Sequence, residues 1–437
     1  MDDDPRTITS PVLSKPAVKK QFDLLSAAVD ENQKRIDYTM AHDPEVQRAI
    51  EMVERFLRRK RRVCYGGQAI NALLPKGRQF YDDKYNIPDY DFFTPTFEED
   101  TDELIAELEK AGFENVNKKL SIHDGTSKVL VNFIPVADCT DMHPVIFSIL
   151  QKRAKAVNGI LYADPDFLRM MMYLELSRPR GQVERWKKVY ERLTLLNYEY
   201  PVKECTTMIE TSQVAADDKR AVLQFCLKRK SVMLGPQFIE LLESNKSSTH
   251  LSSLAAKGGP LIFLSDKALL DAQDIRDILL NLHGGKGSVR VVEDFALSTN
   301  LFNFVTVTYR NQQIALIFQE DSCHSYTVLK VDGGAEMRVG TPDLLLQIYY
   351  SLMIFGKKER AFFKTPLDCL INKLHMIEKR ARNSPTAFIP AFALRCSGHQ
   401  QGIATLLREK AERTDREKSK TRKKKLTKSK TRSRRQV

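Results

Sequence analysis

The chain has 437 residues, 42% of them apolar, which is enough for two or three folded domains. No apolar run is long enough to span a bilayer as a helix, so no membrane partner is expected. The formal net charge is +13, and the stretch Arg408–Val437 carries fifteen Lys or Arg against four Asp or Glu, leaving the rest close to neutral. Such a tail attracts polyanions and cannot form a core. The start, Met1-Asp2-Asp3-Asp4, lacks the basic and apolar regions of a signal peptide. Seven cysteines are scattered without a CxxC pair, which points to a reducing compartment and gives no zinc spacing.

In chain order, residues 1–20 read as a loose leader, and helical periodicity begins near Phe22 and runs to Arg35. A second helix, Pro44–Arg62, carries Val46, Ile50, Val53 and Phe56 on one side. It leads into Val63-Cys64-Tyr65-Gly66-Gly67, after which Ala69–Leu74 resumes a helical pattern. Tyr81–Tyr85 reads as a loop, Tyr90–Thr94 as a strand, and Glu98–Ala111 as an amphipathic helix stopped by Gly112. Lys128–Asp138 reads as two strands joined by a tight turn, because Pro135 disfavours one uninterrupted central strand. Helices follow at Asp166–Ser177, Gln182–Asn197 and Asp217–Arg229. Leu344–Phe355 and Ala256–Leu264 read as core.

An internal echo links Asp164-Pro-Asp-Phe-Leu with Thr341-Pro-Asp-Leu-Leu, each following a β-rich segment. A duplicated α/β unit explains it. The second unit lacks an Asp-x-Asp strand after Gly258-Gly259 or Gly284-Gly285, so a copy there would be structural. The expected organisation is a leader and helix (1–40), a catalytic domain (41–200), a helical connection (201–245), a second domain (246–407) and a disordered basic tail (408–437).

The chemistry is carried by Asp89-Tyr90-Asp91. On a strand, residues two apart share a face, so both carboxylates point one way and Tyr90 the other. Two acids that close call for a cation, and oxygen ligands with substrate phosphates suit Mg²⁺. A third carboxylate completes such a site. Asp138, ending a strand, is the best candidate, ahead of Asp141 and of Asp124 in a turn. Backbone N–H groups at Gly66-Gly67 and the following helix N-terminus can hold phosphate oxygens. No GxxxxGK[ST], HRD or DFG occurs, which removes Walker-type ATPases and kinases. Arg178, Arg180, Arg185, Trp186, Lys187, Lys188 and Tyr190 form a second candidate surface for triphosphate or primer. The alternative is a core Trp186 with lysines facing water. His123 and His143 have no metal-ligand pattern.

The phrases Cys64-Tyr-Gly-Gly-Gln-Ala-Ile-Asn71, Ile87-Pro-Asp-Tyr-Asp-Phe-Phe93, Val131-Asn-Phe-Ile-Pro-Val-Ala-Asp138 and Arg185-Trp-Lys-Lys-Val-Tyr-Glu-Arg-Leu193 resemble the DNA polymerase β-like nucleotidyltransferase superfamily. Within it they are most similar to poly(A) polymerase catalytic subunits of poxviruses, asfarviruses and giant viruses. The resemblance implies a mixed α/β nucleotidyltransferase domain with flanking helices and a second, degenerate copy. It implies template-independent addition of AMP from ATP to RNA 3′ ends, with Mg²⁺ or Mn²⁺ on Asp89, Asp91 and Asp138. Nucleotide contacts would fall on Gly66, Gly67, Gln68, Arg178 and Lys188. Many superfamily members carry Ser where this chain has Gln68, and the gap to the acid pair is longer than usual, so phosphate contacts are expected to differ. The resemblance further implies a homodimer or a viral processivity partner, action in the host cytoplasm at the viral factory, and presence in the virion. A CCA-adding, uridylyl- or oligoadenylate-type enzyme, or a noncatalytic RNA-binding scaffold, are the competing readings.

Overall fold

The computed structural model describes residues 15–206, 214–257, 259–294, 303–356, 363, 365–416 and 419. The chain opens with α1 (Pro16–Ala41), longer than the periodicity suggested. Its Phe22, Leu25, Val29 and Ile36 recur at helical spacing and are each about half exposed. α2 (Pro44–Lys60) begins where the Asp43 carboxylate accepts the Glu45 and Val46 N–H groups and proline fills the first turn. It buries Val46, Ala49, Ile50, Val53, Phe56 and Leu57. It is followed by β1 (Val63–Cys64), α3 (Gly66–Leu73), β2 (Tyr90–Thr94), α4 (Phe97–Lys110), β3 (Val116–Leu120), β4 (Thr126–Val131), β5 (Ile134–Asp141), α5 (Pro144–Arg153), β6 (Lys155–Val157), β7 (Ile160–Tyr162), α6 (Pro165–Leu176) and α7 (Trp186–Glu199). The strands form one mixed sheet in the order β3-β4-β5-β2-β1-β7-β6. The break between β4 and β5 falls where Asn132 and Phe133 both adopt positive φ, as a two-residue hairpin turn requires.

The second unit comprises α8 (Ala216–Arg229), β8 (Val232–Met233), α9 (Pro236–Glu243), β9 (Ser248–Thr249), α10 (Leu251–Ala256), β10 (Leu261–Ser265), α11 (Ala268–Leu282), β11 (Val289–Asp294), β12 (Phe304–Tyr309), β13 (Gln312–Gln319), β14 (His324–Val331), β15 (Ala335–Gly340), α12 (Pro342–Phe355), α13 (Leu367–Asn383) and β16 (Cys396–Ser397). Its main path, β11-β12-β13-β10-β8-β15-β14, repeats the first sheet's topology strand for strand, with the same parallel and antiparallel relations. The echoed segments are equivalent helices. α6 and α12 are N-capped by Asp164 and Thr341, each with proline in the first turn, and pack against one another.

Register identifies the counterparts. Tyr65 N–H bonds to the Asp91 carbonyl, and Leu234 N–H bonds to the Ile262 carbonyl. Asp91 pairs with Asp138, and Ile262 with Leu316. Pro260, Ile262 and Leu316 therefore stand where Asp89, Asp91 and Asp138 stand in the first unit, so the copy carries no carboxylate triad.

Several expectations are corrected. β8 and α9 belong to the second sheet unit, although residues 201–245 read as a connection. The counterpart of Gly66 is Gly235; Gly259 and Gly284-Gly285 lie elsewhere, and Gly258 is outside the described residues. Residues 403–416 are helical rather than a disordered tail, and Arg413 donates to the Ile122 carbonyl. Most of the basic tail, from residue 420, lies outside the described residues, as does the leader up to residue 14. Disulfides join Cys205 to Cys369 and Cys323 to Cys396, against the reduced thiols expected. Separations of 164 and 73 residues leave no spacing signature. Among the described residues no helix is long and apolar enough to cross a membrane.

Candidate active site

β2 and β5 run parallel with Asp91 opposite Asp138, so their side chains share a face of the sheet. Asp89 stands two residues before Asp91, on the same side. Tyr90 points to the other face, where its buried hydroxyl donates to Glu54 Oε1 at 2.7 Å. Burial pushes the Asp91 carboxyl up to about 7, and repulsion from Asp89 and Asp138 adds to it, while Lys128 and Arg185 pull the other way. Asp89 is also raised, by burial first and then by Asp138. Three acids are thus crowded where the start of β2 meets the middle of β5, which runs on to Asp141 rather than ending at Asp138 as the sequence suggested.

Asp138 is 7% exposed. Its Oδ2 accepts the Lys128 ammonium at 2.5 Å, and its Oδ1 is buried with no hydrogen-bond partner among the described residues. A divalent cation would satisfy that oxygen and relieve the repulsion, and an all-carboxylate donor set suits Mg²⁺ or Mn²⁺. Among the described residues no three His, Cys, Asp or Glu side chains converge into a ready-made ion cage. The other two carboxylate candidates are engaged or remote. Asp124 lies 3.5 Å from Arg413, and Asp141 is exposed, three residues beyond Asp138 on β5.

The glycine pair abuts this patch. Gly66 has φ +72°, and a Cβ there would lie 2.4 Å from Asp91 Oδ2. The close approach of backbone to carboxylate therefore requires glycine. A Cβ on Gly67 would lie 2.7 Å from the Tyr81 hydroxyl and 2.8 Å from Arg192 Nη1. No side chain caps α3, so its leading N–H groups are suited to an anion. Arg192 donates to the Tyr81 hydroxyl at 2.6 Å and lies over the Phe80 ring, 4.7 Å from its centroid. Gln68 lines a groove with Gln47, Glu51, Glu54 and Tyr90, on the sheet face that looks away from the carboxylates.

The basic surface divides in two. Lys188 stands on α7 with Arg192, and Arg185 lies just before the helix; burial, then the repulsion of these two cations, lowers its pKa. Arg185 also bridges to Glu175 at 3.2 Å. Arg178 is instead at the seam between the units, its pKa lowered by burial while Asp321 and Glu175 pull it up. Trp186 donates its indole N–H to the Glu175 carbonyl at 3.1 Å, and both it and Tyr190 pack against Phe392. These aromatic rings are engaged by the protein. His143 accepts the Val145 N–H at the start of α5, a structural role.

Sequence reading missed Lys128, Tyr81 and Arg192. Reading back from the Asn132-Phe133 turn, an unbulged hairpin would set Lys128 opposite Ala137, on the wrong face. A register shift between Val129 and Leu130 moves Lys128 opposite Asp138. Arg192 was legible only as one of several cations on a helix.

Two sheets that share a seven-strand path, one with three facing acids beside a glycine turn, define a nucleotidyltransferase-like fold with a degenerate copy. Residues 51–182 match the family described as poly(A) polymerase catalytic subunit. An African swine fever virus protein described as a poly(A) polymerase catalytic subunit is 34% identical over 169 residues, covering 37% of this chain and 35% of the relative. Its counterpart in Acanthamoeba polyphaga mimivirus is 29% identical over 165 residues, covering 37% and 28%. The matched stretch thus spans about a third of these relatives' length. The crystal structure of the Megavirus polyadenylate synthase has the same fold, with a TM-score of 0.74 at 18% identity over 96% of this chain and 86% of that one. In sequence over the carboxylate-bearing region, and in fold over nearly its whole length, the chain resembles poly(A) polymerase catalytic subunits of large DNA viruses.

Proposed function

We propose that this protein is a template-independent polynucleotide adenylyltransferase, adding AMP from ATP to RNA 3′ ends and releasing pyrophosphate. The reading is carried by the register pair Asp91–Asp138 with Asp89, beside Gly66-Gly67, inside the stretch matched by the family. Asp89, Asp91 and Asp138 are the residues that would hold Mg²⁺ or Mn²⁺, and such ions, when bound, would favour the attacking 3′-hydroxylate and the leaving pyrophosphate. Backbone N–H groups at Gly66, Gly67 and the start of α3 would cradle phosphate oxygens. Lys188 and Arg192 on α7, with Arg185 just before it, would neutralise the triphosphate. Arg178, buried at the seam in the field of Asp321 and Glu175, would act where the two units meet.

The competing enzymatic reading, a CCA-adding, uridylyl- or oligoadenylate-type transferase, shares the carboxylates and differs in the base accepted. Extension of a short 3′-hydroxyl RNA with each NTP supplied separately tests the choice. A long ladder with ATP alone supports the proposal. A ladder with another nucleotide moves the protein to the competing class, and extension with none of the four overturns both. The assembly we propose is a homodimer, supported by the exposed apolar stripe of Phe22, Leu25, Val29 and Ile36 on α1. A single monomer mass in sedimentation velocity would dismiss it. The proposed place of action is the host cytoplasm, and imaging of the tagged protein in infected cells checks that.

A further inference from the structure

Lys128 has no role in the scheme above, yet it occupies the position that scheme reserves for a cation. It projects from β4 onto the face of the sheet that carries the three acids, and does so only because the β-bulge shifts it opposite Asp138. Its ammonium lies 2.5 Å from Asp138 Oδ2. Burial works against its charge, and the attraction of Asp138, with Asp89 and Asp91 contributing, outweighs that burial. An ordinary cross-strand ion pair would leave the acid satisfied. Here one carboxylate oxygen is committed to Lys128, the other is buried without a partner among the described residues, and no ion cage is assembled there. The second unit, which has lost its acids, has also lost this pair, since Leu316 stands at the position of Asp138.

We propose that Lys128 is a resident counter-cation of the carboxylate site, which holds Asp138 in the metal-free protein and is displaced from it by the first divalent ion. The proposal rests on the functional reading above. It makes Lys128 a positioning residue that acts through Asp138. The free protein then binds a divalent ion weakly, because the ion must displace an ammonium from the same oxygens. Affinity rises once a nucleotide is present, because its phosphates offer the released ammonium another anion.

The test is Mn²⁺ titration of the full-length protein without nucleotide, read by the loss of the free-ion electron paramagnetic resonance signal. Wild type is compared with Lys128→Met, Lys128→Gln, Lys128→Arg and Asp89→Asn. Removing a unit charge beside a divalent site in a partly buried setting should tighten Mn²⁺ binding by roughly tenfold or more. That tightening is expected in Lys128→Met and Lys128→Gln, with Lys128→Arg as weak as wild type, and the gap should narrow with ATP present. Gln keeps a hydrogen-bond donor toward Asp138, so a folding defect confined to Met does not decide the matter. Equal or weaker Mn²⁺ binding in the uncharged, folded variants overturns the role of Lys128 and leaves the functional reading standing. Wild-type Mn²⁺ binding that is indifferent to Asp89→Asn overturns the carboxylate site itself.

Discussion

Replacing Asp91 with asparagine should abolish catalysis and, in metal-free buffer, make the protein more stable. Burial first, then Asp89 and Asp138, raise the Asp91 pKa from 3.8 to about 7 in the folded chain. A folded-state pKa above the unfolded value means that the native protein holds this proton more tightly. Its contribution to stability is therefore greatest below pH 4, and is lost as pH rises toward 7. A shift of about three units corresponds to about 4 kcal/mol when complete. Linkage assigns about half of that to the interval between pH 5.5 and 8. The stability difference between Asp91→Asn and wild type should thus grow by about 2 kcal/mol over that interval. Urea denaturation in chelator at the two pH values, followed by tryptophan fluorescence, measures it. A difference that does not change with pH, or a wild type more stable than the variant at pH 8, would refute the crowded-carboxylate account. Added Mg²⁺ should reverse the order at pH 8, because the ion stabilises the wild-type carboxylates and has lost a ligand in the variant.

Gly66→Ala forces a side chain into a left-handed backbone position and against Asp91 Oδ2. It should cost about 1–2 kcal/mol of stability and roughly a hundredfold or more in activity, checked by thermal melts and primer extension; wild-type values in both would contradict the cradle. Arg192→Ala should raise the KM for ATP by about tenfold with a smaller fall in kcat, and an unchanged KM would remove Arg192 from the triphosphate site. Deleting residues 420–437, which hold ten Lys or Arg, should weaken primer binding and flatten its salt dependence while sparing Mn²⁺ binding. An unchanged salt slope in a filter-binding assay would deny the tail that role.

The parts of the fold that were readable rest on local periodicity. β2 has the bounds expected, Asp89 and Asp91 share a face with Tyr90 opposite, and the two expected strands are joined by a tight turn, which falls at Asn132-Phe133 while Pro135 is taken into β5. The echo of Asp164-Pro with Thr341-Pro was legible because N-cap and proline chemistry repeats even where packing residues drift. What escaped depends on distant partners. A two-residue strand such as β8 has no alternation to detect, which moved the apparent start of the second unit. Lys128 escaped because a bulge, invisible in sequence, changes which face it occupies. The burial of Arg178 was hidden for a related reason, since Asp321, whose charge acts on it, is brought near only by the packing of the two units. The disulfides and the docking of Arg413 on the β3–β4 loop likewise join segments far apart in the chain.

The most direct measurement is the stoichiometry of the reaction with ATP, Mg²⁺ and a 3′-hydroxyl RNA, in wild type and Asp138→Asn. The account predicts one pyrophosphate released for each AMP added to the RNA, with both products lost in the variant. AMP incorporation undiminished by Asp138→Asn, or ATP consumed with release of phosphate and no lengthening of the RNA, would contradict it.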